Sequence, residues 1–204
     1  MARPTKLDWL QPAILTGSLV PFAWLLYRAV RGMLGANPIA TALNQLGLLA
    51  LLFLLASLAC TPLKILFDLK WPLRLRKTLG LFAFWSALLH FLIYALFDQV
   101  MQLGAIVEDV LKRPFILVGF LGLVTLTPLA LTSTKNALRR LGPRRWQRLH
   151  RLAYLAGILG AVHFLLRVKA DLLEPAIYLG VLAFLLAVRL WDRLRKQRLA
   201  AQRP

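Results

Sequence analysis

The chain alternates long apolar stretches with short polar segments that are mostly basic. A helix that crosses the hydrocarbon core of a bilayer needs about 20 mostly apolar residues. Six stretches meet or approach this length, namely 9–27, 43–63, 78–97, 114–132, 149–166 and 175–191. A soluble helix bundle would need polar positions at helical spacing, and the second stretch has almost none. The pattern predicts an all-α protein, an integral membrane bundle of six transmembrane helices that forms a single domain over residues 1–204.

The first stretch is interpreted as a retained helix. It ends at Tyr27 and is followed by Arg28, where a cleavable signal peptide would end in small residues. Pro12 and Pro21 lie within it and predict a bend or a late start.

Composition and charge exclude most soluble classes. Of the 204 residues 59% are apolar, whereas a soluble domain has about 45–50%. Lys and Arg number 26 against 8 Asp and Glu, a net charge of +18. Disorder and an ordinary soluble enzyme are therefore excluded. The single cysteine, Cys60, excludes an intramolecular disulfide and a multi-cysteine metal cluster, and we expect it to serve helix packing.

The basic residues are distributed unevenly between the two predicted faces of the membrane. Twenty of the 26 flank one face, together with both termini, whereas five of the eight acidic residues flank the other. Because short loops rich in Lys and Arg stay in the cytoplasm, we predict that both termini are cytoplasmic. The basic loops are explained by this topology and by contact with anionic membrane lipid better than by nucleic acid, so no nucleic-acid partner is expected.

The three histidines are the candidate chemical groups, because ionisable residues inside a membrane are costly and usually functional. His90 lies 12 residues into the third predicted helix and His163 lies 14 residues from Leu149 in the fifth. At 1.5 Å per residue these offsets are roughly 18 and 21 Å. Both helices run outward, so the two imidazoles are predicted at similar depth in the outer half of the bilayer.

Two facing imidazoles at one depth are typical of haem ligation, in which axial histidines bind the iron. The flat macrocycle needs an apolar slot between helices, and several residues near the pair suit one. These are Phe91, Phe164, Gly80, Gly157, Gly160 and Ala161, with Trp85 as a further candidate. Two other interpretations remain. Buried histidines can form plain helix–helix hydrogen bonds, and zinc would need three or four ligands, which the neighbouring sequence lacks.

His150 lies at the cytoplasmic mouth of the fifth helix. It precedes His163 by 13 residues, so an ideal helix would place the two on different faces unless a tilt or bulge intervened. A second haem would need a partner near the start of the third helix, where Arg76, Lys77 and Thr78 stand. His150 is therefore a candidate ligand of a second haem through an unusual partner, a residue of an electron-entry site, or an interfacial polar residue.

Several motifs resemble one family of membrane proteins. LTS at 131–133 is followed by W-x-x-L-H-R-L-x-Y from Trp146, as in ferric-reductase-like transmembrane domains. CTPLK at 60–64, R-x-R-K-x-L-G-L from Arg74 and the lone His90 narrow the resemblance to MsrQ, also called YedZ. MsrQ proteins are the haem-binding membrane subunits of the bacterial methionine sulfoxide reductase system. The resemblance covers nearly the whole chain.

The resemblance implies a function for the chain as an electron-transfer subunit rather than a catalytic one. MsrQ proteins bind haem b, and also FMN, in the bacterial inner membrane. They pass electrons from the quinone pool or a flavin donor to MsrP, a periplasmic molybdopterin enzyme that reduces methionine sulfoxide in envelope proteins. Carried over by motif, His90 and His163 are the axial pair of one haem, and His150 is an inner ligand or an electron-entry residue.

The family pattern is incomplete here. The related NADPH oxidases carry two histidines on each of two helices and a cytosolic flavin domain, whereas this chain has three histidines. One haem is thus expected, or two if His150 binds another. Positive charge suited to a flavin phosphate, which topology alone also explains, comes from Arg76, Lys77, Arg139, Arg140, Arg144 and Arg145.

Two other functions remain open at this point. A histidine-dependent proton or metal transporter would also place histidines in the bilayer, although the helices have almost no acidic residues for a relay and no visible inverted repeat. A stand-alone haem ferric reductase differs only in its electron acceptor. If the acceptor is a periplasmic protein, its contact surface is predicted in the outer loops 29–42, 99–113 and 168–174.

Overall fold

The structure is a computed structural model that describes residues 9–202, and within that range the chain is helical, without strands. The α-helices are α1 (Leu10–Val30), α2 (Pro38–Phe67), α3 (Pro72–Ile93), α4 (Leu103–Lys112), α5 (Pro114–Leu131), α6 (Lys135–Leu149), α7 (Leu152–Arg167) and α8 (Leu173–Ala201). A π-helical turn, Tyr94–Asp98, continues α3. The predicted all-α fold is confirmed.

The membrane-spanning capacity agrees with the hydrophobic pattern. Helices α1, α2, α5 and α8, and α3 with its π-helical turn, are each long and apolar enough to cross a bilayer. Helix α7 reaches that length only together with α6, and the two are bent by 43° at a short break. The bent pair supplies the sixth span when it crosses as one unit, so the protein is an all-α membrane bundle.

Two helices lie where the sequence predicted loops. Helix α4 has one apolar face and occupies most of the predicted loop 99–113. Helix α6 is rich in arginine and begins after Thr134, whose side chain accepts a hydrogen bond from the amide of Ala137 at 3.1 Å. Gly142 interrupts α6 with φ of 73° and ψ of 158°, a backbone conformation that essentially only glycine adopts.

Prolines and caps set where the spans begin. Pro38, Pro72 and Pro114 each occupy the first position of a helix, where the missing N–H costs nothing and the fixed φ favours the helix. The Asn37 side chain also caps α2 by accepting from the amide of Ala40 at 3.0 Å. At its other end α2 stops at Asp68, which adopts the left-handed conformation with φ of 50°.

The bundle is built on two helix pairs, α2 with α3 and α5 with α7, which have the most extensive contacts. Leucines of α2 pack with Ala83, Leu126 and Ala156 in the main buried cluster, and Leu182 and Leu185 of α8 cover it. We call the end that carries residues 68–71, α6 and the last turns of α8 the basic end. The other end, with residues 31–37, 99–102 and 168–172, is the opposite end.

Candidate cofactor site between two helix pairs

A cavity of about 480 Å³ lies between the two helix pairs. Most of its walls are apolar side chains of α2, α3, α5 and α7, including Leu51, Leu54 and Leu126. His90 of α3 and His163 of α7 both line it. The cavity thus has the size and character of a small-molecule or cofactor site, with few polar groups placed among apolar walls.

The two histidines face each other across this cavity. Their ring centres are 6.1 Å apart and their planes are nearly perpendicular, at 85°. The Nδ1 atom of His90 lies 2.8 Å from the carbonyl oxygen of Leu43, and that of His163 lies 2.6 Å from the carbonyl oxygen of Phe115. A carbonyl only accepts hydrogen bonds, so each Nδ1 carries the proton and donates it. Each Nε2 therefore keeps a lone pair, the arrangement found in metal-binding histidines.

A glycine makes room for each ring. A Cβ atom on Gly47 would lie 3.2 Å from Nδ1 of His90, and one on Gly119 would lie 2.6 Å from Nδ1 of His163. Each glycine comes four residues after the carbonyl that holds the same ring. Each imidazole therefore lies against a stretch of helix backbone without a side chain, and the approach is closer at Gly119 than at Gly47.

The same local arrangement occurs twice in the bundle. In α2 and α3, the carbonyl of Leu43 and Gly47 hold His90; in α5 and α7, the carbonyl of Phe115 and Gly119 hold His163. The histidine follows its glycine by 43 residues in the first pair and 44 in the second. Neither glycine is among the residues predicted from the sequence. Any residue can supply the carbonyl, so only the glycine-to-histidine spacing carries a signal for this arrangement.

His150 lies apart from the pair, at the basic end. Its Nε2 atom is 3.1 Å from Oγ1 of Thr132, and its ring stacks on Trp146 with centres 3.7 Å apart. The indole N–H of Trp146 donates to the carbonyl oxygen of Thr132 at 2.9 Å. Residues 132, 146 and 150 thus form one packed cluster, and His150 does not line the cavity between His90 and His163.

The geometry of the pair fits a haem iron bound from both sides. An imidazole nitrogen binds a first-row transition metal at about 2 Å and lies about 1 Å from its ring centre, so two opposed axial imidazoles have centres about 6 Å apart. The observed 6.1 Å agrees with this. Within residues 9–202 no group of three His, Cys, Asp or Glu converges as a zinc site would require.

Known proteins with similar sequences point the same way. Residues 41–161 match a family model described as ferric reductase like transmembrane component. A Rhodospirillum rubrum protein named protein-methionine-sulfoxide reductase heme-binding subunit MsrQ is 50% identical, over 91% of this chain and 89% of its own. A Deinococcus radiodurans protein of the same name is 48% identical over 98% of both chains. The chain belongs to the MsrQ family.

Membership of the MsrQ family confirms the resemblance drawn from the motifs. A third relative of that name, from Brucella anthropi, is 44% identical over 96% of this chain and 87% of its own. The match to the transmembrane component includes His90 and His150 and stops two residues before His163.

The other lining residues predicted from the sequence had mixed outcomes. Phe91, Phe164 and Gly160 line the cavity. Gly157 instead packs against Leu182 and Leu58, deeper in the bundle. The expectation for Trp85 was wrong, since this side chain is 55% exposed on the outer surface of the bundle and does not line the cavity.

Arg76, a predicted cofactor-binding residue, also stands outside this cavity. It lies in the first turns of α3, toward the basic end, and its carbonyl oxygen accepts a hydrogen bond from Ser57 at 2.9 Å. The structure therefore separates the predicted site residues into two groups. His90 and His163 share the cavity, whereas His150 and Arg76 lie toward the basic end.

Proposed function

We propose that the chain is the haem-binding membrane subunit of a protein-methionine-sulfoxide reductase system. In this role it carries electrons across the membrane to a periplasmic molybdopterin reductase of the MsrP kind and supports the repair of oxidised envelope proteins. The observation that carries the proposal is the opposed His90–His163 pair, with both Nδ1 atoms held by backbone carbonyls. Its relatives, which are named heme-binding subunits, support the same conclusion.

His90 and His163 are the residues that would hold one haem b, each through its Nε2 atom. The carbonyls of Leu43 and Phe115 fix each ring, hold the proton on Nδ1 and increase the basicity of Nε2. The apolar walls of the cavity exclude water and favour a flat macrocycle. A bound haem supplies one-electron chemistry, while the protein sets its potential and access.

The basic end is the proposed site of electron entry. His150 stacks on Trp146 there, and Arg76 lies in the first turns of α3. Positive charge at this end suits an anionic donor, either a flavin such as FMN, through its phosphate, or a quinone that becomes charged on reaction. FMN is proposed because the MsrQ resemblance implies it, and nothing in the site geometry requires it.

The proposed orientation places the basic end in the cytoplasm of a bacterium, with the chain in the inner membrane and both termini inside. The positive-inside rule supports this, since 17 of the 23 basic residues of the described region lie at the basic end, within residues 64–77, 135–151 and 189–198. The opposite end then faces the periplasm. Its connecting segments, including α4, form the surface proposed for the periplasmic reductase.

A visible spectrum of the purified protein tests the haem proposal. In detergent, the dithionite-reduced wild type should show the sharp α-band of a low-spin b-type haem with two axial histidines. His90→Ala and His163→Ala should each abolish that band, and His150→Ala is the matched control that should keep it. A folded sample without haem absorbance after expression with ample haem supply would contradict the proposal.

A second candidate is a stand-alone ferric reductase, which the description of the matching family model favours. The two functions differ in the electron acceptor. Stopped-flow mixing of the reduced protein with ferric citrate, and separately with a purified periplasmic molybdopterin reductase, distinguishes them. The primary proposal predicts that the reductase reoxidises the protein much faster than the ferric chelate does.

A further inference from the structure

The mouth of the cavity at the opposite end is chemically unlike its walls. Polar residues gather there, whereas the interior is apolar except for the two histidines. The polar lining residues are Asn44, Tyr94, Asp98, Arg113, Arg167 and Glu174. A ligand in this cavity would therefore have one polar edge, directed to the opposite end.

Arg167 lies one helical turn beyond His163 on α7. Its Nη1 atom donates to Oδ1 of Asn44 at 2.5 Å, and its guanidinium carbon lies 5.7 Å from the ring centre of Phe164. Asn44 directly follows Leu43, whose carbonyl holds His90. The Arg167–Asn44 bond thus joins α7 to α2 beside the histidine pair, and the remaining N–H groups of Arg167 are available to a ligand in the mouth.

Arg113 enters the mouth from the start of α5, two residues before the carbonyl that holds His163. Its Nε atom is fixed by Oδ1 of Asp109 at 2.7 Å. The other carboxylate oxygen of Asp109 accepts from the hydroxyl of Tyr94 at 2.8 Å. Since Nε is engaged in this way, the two Nη groups of Arg113 remain as donors at the cavity lining.

Two guanidinium groups at the edge of an apolar cavity are suited to carboxylates, which they bind through paired, charge-assisted hydrogen bonds. Asp98 and Glu174 share the mouth, so its formal charge is balanced. A carboxylate ligand is repelled by those two acids and attracted by the two arginines. The position of a bound carboxylate is therefore determined by the two guanidinium groups rather than by the net charge of the mouth.

We propose that Arg113 and Arg167 bind the two propionate carboxylates of the haem, so that this edge of the macrocycle faces the opposite end. The proposal rests on the proposed function, since it assumes that a haem occupies the cavity. It adds the orientation of the haem and two residues that bind it away from the iron.

The test compares haemin with haemin dimethyl ester, in which both carboxylates are blocked but the iron and the ring are unchanged. The full-length protein, purified in detergent and freed of haem, is titrated with each compound, and the Soret band reports binding. Because a hydrogen bond to a charged group is worth about tenfold or more in affinity, wild type should prefer haemin by at least about tenfold. Arg113→Ala and Arg167→Ala should each reduce that preference.

Matched variants separate the carboxylate contact from structural effects. Lys112→Ala removes a neighbouring cation that pairs with Glu108 and does not line the cavity, so it should leave the preference unchanged. Asn44→Ala breaks the bond to Arg167 but keeps the guanidinium group, so this variant should retain most of the preference for haemin. Asp98→Asn and Glu174→Gln each remove a negative charge that repels the carboxylates, so both should increase the preference for haemin.

The outcomes distinguish the two levels of the proposal. If wild type binds haemin and its dimethyl ester equally well through His90 and His163, the carboxylate contact is overturned and the haem function stands. If the folded protein binds neither compound, the proposed function itself fails. If Arg113→Lys and Arg167→Lys, which keep the charge, lose the preference as fully as the alanine variants, the paired geometry is confirmed.

Discussion

Gly119 and Gly47 stand against the two histidine rings, but they leave them different amounts of room. A Cβ at 119 would approach Nδ1 of His163 to 2.6 Å, closer than atoms in contact can lie, whereas one at 47 would lie 3.2 Å from Nδ1 of His90. The first contact forces His163 or α5 to move. The second requires a shift of a few tenths of an ångström.

Gly119→Ala should therefore weaken haem binding far more than Gly47→Ala. Overpacking of this kind costs about 1–3 kcal/mol, which corresponds to a loss of affinity between about fivefold and about 100-fold. The haem-to-protein ratio after titration measures the effect. Gly122→Ala is the control, because its Cβ would meet only Leu159, at an ordinary 3.7 Å. Equal haem content in all three variants would show that the close approach does not constrain His163.

His150 offers a second prediction for a single side chain. Because it lies outside the cavity and pairs with Thr132 and Trp146, His150→Ala should keep the full haem content per protein. The proposed entry role predicts that reduction of this variant by a soluble quinol becomes slower than in wild type. A haem content reduced by half would instead mean that a second haem exists and that His150 binds it.

Among the helices, α2 contains a defect that α8 compensates. Pro62 is fully buried and has no N–H, so the carbonyl of Leu58, four residues earlier, loses its helical donor. Arg189 of α8 donates to that carbonyl through Nη2 at 2.6 Å and to the hydroxyl of Tyr154 through Nη1 at 2.8 Å. One side chain thereby connects α8 to α2 and α7.

Arg189→Met should destabilise the bundle by about 1–3 kcal/mol, because it leaves a buried carbonyl without a partner. Pro62→Ala restores an N–H to Leu58, so the cost of Arg189→Met should be smaller in the Pro62→Ala background. Reversible unfolding in mixed detergent and dodecyl sulfate, applied to both single variants and the double, measures the coupling. Strictly additive effects would show that Arg189 does not act on the Leu58 carbonyl.

The hydrophobic pattern did not predict helices α4 and α6, and the composition of each explains why. Helix α4 has only ten residues, with a single apolar face, and α6 has five arginines among its 15 residues, so neither resembles a membrane span. Only α6 of these two has a side-chain cap, in which Thr134 accepts from the amide of Ala137. The bend of 43° between α6 and α7 is a relation between two helices, and the hydrophobic pattern carries no signal for it.

Across the molecule as a whole, charge asymmetry is the strongest orienting feature. With 26 basic and 8 acidic residues, the net charge of +18 is concentrated at the basic end. Moving the charged loops of that end across a membrane would require a large desolvation cost, repeated in several loops. The predicted topology therefore should not depend on any single residue.

Reporter fusions check this topology in a bacterial host. Alkaline phosphatase inserted after residue 170, at the opposite end, should be active, because the enzyme folds only in the periplasm. The same reporter after the last residue should be inactive, and a fluorescent protein there should be bright. The reversed pattern would place the basic end outside and would contradict the proposed direction of electron transfer.

The membrane class, the all-α fold and the family all follow from the amino-acid sequence alone. The length of each apolar stretch and the charge of its flanking loops can be read from the sequence, because each span enters the bilayer almost independently of the others. His90 and His163 also stand out in the sequence, since imidazoles in apolar spans are rare. The family is evident in short motifs around Cys60, Arg74 and Trp146, whose residues are contiguous in the chain.

How the histidines are held, and which groups surround them, depends instead on the tertiary structure. The carbonyls of Leu43 and Phe115 carry no side-chain signal, and Gly47 and Gly119 matter only because a ring from another helix lies against them. The same holds for the mouth, where residues far apart in the chain, such as Asn44 and Arg167, meet. These contacts arise from packing between helices, which local sequence patterns do not record.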